Sequence, residues 1–187
     1  MKNILLIIII LFVSCNSKTE RKIPTDENAN KATKIAGEKY FNYDELVHYK
    51  IEFDSNKRKE IYSRRNNTVL DSMRYGVIYN SIPKSINDSS FVFKLEEFGY
   101  TKKVVKRVKF KEIDRIFTER KHEEVIAYAC DYVFRDILIF KRKSKIIGIA
   151  KICFECGGNK IVGTKANSEE FGMDGEYAEL RQILNAK

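Results

Sequence analysis

Three short apolar runs between Asp136 and Thr164 constrain the fold more than any other stretch of this chain. Asp136-Ile137-Leu138-Ile139-Phe140 is the first, Ile146 to Phe154 the second, and Lys160-Ile161-Val162-Gly163-Thr164 the third. A basic loop (Lys141 to Lys145) separates the first two, and a Gly-rich one (Gly157, Gly158, Asn159) precedes the third. Runs this short, rich in Ile and bounded by turn chemistry, read as strands of an antiparallel meander.

The remaining elements read as cover. Tyr43 to Phe53 alternates in its second half, with Val47, Tyr49, Ile51 and Phe53 on one side and His48, Lys50 and Glu52 on the other. That pattern predicts a half-buried strand with a solvated His48. The charged stretch Asp54 to Asn67 predicts a short exposed helix. Thr68 to Tyr79 sets Val69, Leu70, Met73 and Val77 at helical spacing behind Thr68 as cap. Pro83 keeps that helix from continuing. Asp88-Ser89-Ser90 opens a helix with Phe91, Leu95 and Phe98 on one face, closed by Gly99.

Phe110 to Lys121 reads as a third helix, Val125 to Phe134 as the first strand of the sheet, and the segment after Asp174 as a final helix with Tyr177, Leu180, Ile183 and Leu184 buried. Helices and antiparallel strands are segregated, so the expected class is α+β: an antiparallel β-meander with helices packed on one face. At 187 residues there is room for one such domain, over residues 38–187.

Ahead of it, Met1-Lys2-Asn3 is a short positive start and Ile4 to Val13 is unbroken apolar sequence. A spanning helix needs roughly 20 apolar residues, so this run is too short to remain a membrane anchor and fits the hydrophobic region of a signal peptide over residues 1–14. Phe12-Val13-Ser14-Cys15, followed by Asn16, resembles the lipobox of bacterial lipoproteins, with Phe12 where Leu is commoner. The resemblance implies cleavage before Cys15, a diacylglyceryl thioether on its sulfur and an acylated amino group. Asn16 after the cysteine implies the outer membrane by that family's sorting habits. Two or more acyl chains hold a protein durably, at about 0.8 kcal/mol per buried methylene. Residues 15–37 are polar and would form a disordered tether holding the domain roughly 25 Å from its anchor.

With Cys15 given to lipid, Cys130, Cys153 and Cys156 remain, and Cys153-Phe154-Glu155-Cys156 admits three readings. A redox thiol wants a lowered pKa, commonly at a helix N-terminus, and this pair sits between strands. Zinc wants four ligands, which would require Cys130 and His122 to converge on the pair. A disulfide between Cys153 and Cys156, or two buried thiols, is the structural alternative. Residues three apart in a straight strand are about 10 Å apart, against the roughly 4.4–6.8 Å a disulfide tolerates, so that bridge needs a tight turn. No Gly-rich phosphate loop, nucleophile-elbow Ser or His-Glu-x-x-His motif is present. No catalytic residue, metal or cofactor is assigned.

The carboxy-terminal half is similar to a group of small bacterial lipoproteins with no assigned activity. The likeness is carried by Arg135 to Phe140, Gly148 to Phe154 with Cys156, Gly163 to Asn167, and Phe171-Gly172 with Gly175 and Tyr177. It implies a domain type and a compartment, the cell envelope, and no mechanism.

The formal charge of +9 favours anionic partners. Lys102, Lys103, Lys106, Arg107, Lys109 and Lys111 crowd one segment, while Lys141, Arg142, Lys143 and Lys145 occupy a hairpin loop. Sharing one face, the two sets would suit anionic lipid headgroups. The aromatic interleaving suited to nucleic acid is missing, so no nucleic-acid partner is expected. The functional expectation is a lipid-anchored, non-catalytic envelope module that meets the membrane through Cys15 and either anionic lipid or an envelope protein. The alternative is a thiol-redox or zinc-dependent envelope protein using Cys153 and Cys156.

Overall fold

A computed structural model describes residues 37–79, 82–121 and 130–186. The expected signal peptide, Cys15 and the expected tether before Gly37 lie outside the described residues.

Five strands form one antiparallel sheet in the order β2-β1-β3-β4-β5. The expected meander is its larger part: β3 (Asp136–Arg142), β4 (Lys145–Cys153) and β5 (Gly158–Val162) are joined by tight turns. β1 (Glu45–Lys50) lies beside β3, pairing His48 with Leu138 and Lys50 with Asp136. β2 (Thr101–Val104) is an exposed edge carrying Lys102 and Lys103, charges that discourage pairing with another chain. The strand expected over Val125 to Phe134 is not formed where it can be seen. Cys130 to Arg135 is irregular chain, and residues 125–129 are outside the described set.

Helices cover both faces of the sheet, where one covered face was expected. On the first face Val47, Tyr49, Ile137, Ile139 and Ile149 meet Ile61 of α1 (Ser55–Arg64), Val77 and Ile78 of α2 (Val69–Tyr79), and Phe91, Leu95 and Phe98. On the second, Leu46, Leu138, Phe140, Ala150 and Ile152 meet Ile113 and Ile116 of α3 (Phe110–Ile116) and Leu180, Ile183 and Leu184 of α4 (Glu176–Asn185). The reason is visible in β3, whose first five residues are all buried. Near-continuous apolar runs belong to strands covered on both sides, whereas alternating ones face water.

Local chemistry sets the helix ends. Asp54 accepts from the backbone N–H of Lys57 (2.8 Å) and starts α1, which buries only Ile61. Thr68 accepts from the N–H of Asp71 (3.0 Å), the expected cap of α2. The apolar stripe expected on α2 holds only at its end: Val77 is fully buried, while Val69 is 82% exposed because the first turn runs past the core. Phe91, Leu95 and Phe98 are buried together as expected, but Phe91 stands on a 3-10 turn (Ser90–Lys94) and Leu95 and Phe98 in the turns that follow rather than on an α-helix, and Gly99 closes the segment at φ 98°. α3 is shorter than expected. Phe117 leaves the helix, its carbonyl accepts from Tyr40 N–H (2.9 Å), and Thr118 bridges Lys39.

Candidate functional site

His48 is the principal correction to the expected polar side of β1. It is 4% exposed, and its Nε2 lies 2.7 Å from Oδ1 of Asp136, itself 6% exposed. A carboxylate only accepts hydrogen bonds, so Nε2 donates and carries the hydrogen. The alternation of β1 is real, but His48 turns into the face covered by α3 and α4, while Lys50 and Glu52 further along keep contact with solvent. Asp136 reaches a cavity of about 230 Å³ at this end of the sheet, walled also by Lys50, Glu52, Arg135, Glu155 and Arg181. Its charges largely satisfy one another: Lys50 pairs with Glu52 at 2.6 Å, Arg135 pairs with Glu155, and the Arg181 guanidinium stacks 5.0 Å above Phe154. Among the described residues Asp136 is the only hydrogen-bond partner of the His48 imidazole, so no nucleophile among them is hydrogen-bonded to the ring.

A fully buried Lys151 occupies the opposite face, and sequence reasoning missed it. Its Nζ donates to the carbonyls of Val77 (2.7 Å) and Ile82 (2.6 Å) and sits 4.2 Å above the Phe134 ring. The Val77 carbonyl belongs to the last turn of α2, where helix carbonyls lack intrahelical donors and a cation is favoured. Burial, and then the charge of Lys160 across β5, push Lys151 down to about 7. A signal existed in the sequence: a lysine inside Ile149-Ala150-Lys151-Ile152, two residues from Ile149 and therefore on its face.

The cysteines sort differently from the Cys153–Cys156 pairing weighed from the sequence. Cys156, in the β4–β5 turn, is disulfide-bonded to Cys130, with Cα atoms 6.1 Å apart, and Cys153 is a free, buried thiol. The Cys153–Cys156 bridge considered from the sequence is therefore replaced by one joining the chain ahead of β3 to the turn. Three residues of spacing revealed proximity and not partners. Among the described residues no group of His, Cys, Asp and Glu is arranged to hold a metal ion. His122 lies outside them.

The basic residues divide into engaged and free sets. Lys109 Nζ donates to the carbonyls of Ile183 (2.7 Å) and Ala186 (2.7 Å), and Lys103 Nζ to that of Leu184 (3.3 Å), so both serve the C-terminal end of α4. Desolvation, then the charges of Lys103 and Lys106, lower the pKa of Lys109. Lys141 pairs with Glu45 at 2.8 Å. A cleft of about 700 Å³ beside α1 and α2 is walled by Tyr62, Tyr75, Tyr79 and Tyr132.

Comparison with protein-family models, curated proteins and solved structures found no match to this chain. Among the described residues no helix is long and apolar enough to cross a membrane.

Proposed function

We propose that this chain is a bacterial lipoprotein, acylated on Cys15, whose α+β domain works as a non-catalytic binding module of the cell envelope. The observation that carries the reading is a cysteine set directly behind a short positive start and the apolar run Ile4 to Val13. Two features of the domain support it. The Cys130–Cys156 disulfide suits an oxidising compartment, since such bonds seldom persist in a reducing cytosol. The buried His48–Asp136 and Lys151 groups are spent on partners inside the fold, which leaves the tyrosine-walled cleft and the basic surface as the features offered to a partner. Asn16 favours delivery to the outer membrane.

Expression in a bacterial host with labelled palmitate tests the assignment. The wild-type chain should take up label and sediment with membranes through a high-salt wash, and Cys15→Ala should do neither. An unlabelled wild-type chain that keeps residues 1–14 would sink the reading.

A further inference from the structure

We infer that the end of the sheet carrying the β3–β4 hairpin and the turn into α3 is a docking surface for an anionic lipid bilayer. The two basic stretches, far apart in sequence, leave the sheet at the same end. Val105 N–H donates to Leu46 carbonyl (2.9 Å) where the chain quits β2, and Asp44 N–H donates to Lys141 carbonyl (2.9 Å) where β3 runs into the hairpin. An aromatic bridge draws them closer: the ring of Phe110 lies 4.7 Å from Tyr43, which lies 5.0 Å from Phe140. Lys106, Arg107 and Lys111 thereby share one end with Arg142, Lys143 and Lys145.

All six side chains are exposed, and among the described residues none has a hydrogen-bond or ion-pair partner. The acids nearby are mostly engaged, Glu45 by Lys141 and Asp44 by the backbone N–H of Lys143 (3.0 Å), which leaves Glu112 as the exception. Val108 stands 82% exposed between Arg107 and Lys109. Cations around a protruding apolar side chain suit a headgroup layer, which takes the charge at its surface and the methyls just beneath.

A second observation comes from the backbone. Lys143 and Ser144 form the hairpin turn with φ 49° and 63°. Two-residue turns of this kind favour Asn-Gly because left-handed φ is costly for other residues. The chain holds a lysine at the tip at the expense of turn stability, as a surface built for charge would.

The anchor's geometry permits the contact. Cys15 precedes Gly37 by a stretch that reaches at most about 75 Å when extended, and Lys39 joins the domain beside Thr118, just past α3. This tether argument rests on the proposed acylation, whereas the surface itself does not.

The test uses the chain from Asn16 onward, which keeps every element described and lacks the acylated cysteine, in sedimentation with phosphatidylcholine vesicles and with mixed phosphatidylcholine–phosphatidylglycerol vesicles. Binding should appear only with the anionic vesicles and fade as salt rises. Each neutralised charge should weaken it about fivefold, so Lys106→Gln with Arg107→Gln should cost roughly 25-fold. Lys143→Gly should weaken binding about fivefold while raising the melting temperature, separating loss of the surface from loss of the fold. Lys59→Gln, on α1, should leave binding unchanged. Equal binding to both vesicle types, or an equal loss with Lys59→Gln, overturns the inference. So does no binding to either. Because acylation is read separately by palmitate label, failure here leaves the anchor assignment standing.

Discussion

The two faces of the sheet bury ionisable strand side chains by different means, Lys151 alone on one and the His48–Asp136 pair on the other. Lys151 projects from β4 toward α2, where its partners are main-chain carbonyls and the face of Phe134. His48 projects from β1 toward α3 and α4, and its partner is the carboxylate of Asp136 on the neighbouring strand, beside a cavity. Backbone carbonyls at the end of a helix cannot be removed by substitution, and they exist only if α2 ends where it does. The first arrangement therefore ties a helix terminus to the sheet, whereas the second ties one strand to the next. The packing around them differs too: rings of Tyr40, Phe41, Tyr43, Phe117, Phe140 and Phe171 interlock on the His48 face, while the Lys151 face is richer in aliphatic side chains.

The largest effect should come from Lys151→Met, which keeps the side chain's length and removes its donors. Leaving two buried carbonyls without Nζ should cost about 3 kcal/mol, read as a lower urea midpoint at unchanged slope. A pH signature accompanies it. With Lys151 held near 7 in the fold and at an ordinary 10.5 when unfolded, the unfolded chain binds more protons between those values. Stability should therefore rise with pH through that window, by no more than about 1.4 kcal/mol per unit, and Lys151→Met should flatten the rise. Parallel curves for the two proteins would show that Lys151 is not the buried cation described here.

Gly148→Ala probes the aromatic face and should come next. A Cβ there would stand 2.2 Å from Cε1 of Phe41, whose ring packs against Phe140 (centroids 4.3 Å) and within 6.3 Å of Tyr40 and Phe117. A ring held on three sides cannot step aside, so overpacking should cost about 2 kcal/mol. A loss under half of that, by chemical denaturation, would mean that the His48 face yields as readily as an aliphatic one.

Legibility in the sequence divides along the same line. Ile137, Leu138, Ile139 and the loops on either side of Ile146 to Phe154 announced the meander because both signals, apolar runs and turn residues, are local. Thr68 marked the start of α2 for that reason. His48 was misplaced because its burial depends on α3 and α4, elements more than sixty residues away in sequence whose approach leaves no mark within β1. Cys156 was misassigned because its partner Cys130 lies in an irregular segment with no periodicity to place it. Lys151 went unread because its partners are carbonyls, which every residue carries.

Asp136→Asn should have the smallest effect of the three, and it decides whether the two faces really differ. The amide keeps an oxygen where Oδ1 stands, 2.7 Å from Nε2 of His48, so the imidazole still has an acceptor. What is lost is the charge on one partner, and imidazole has a neutral form that hydrogen-bonds without it. The expected cost is about 1 kcal/mol, the difference between a charge-assisted hydrogen bond and a neutral one. A cost matching that of Lys151→Met would show that the His48–Asp136 pair depends on charge as heavily as the opposite face does.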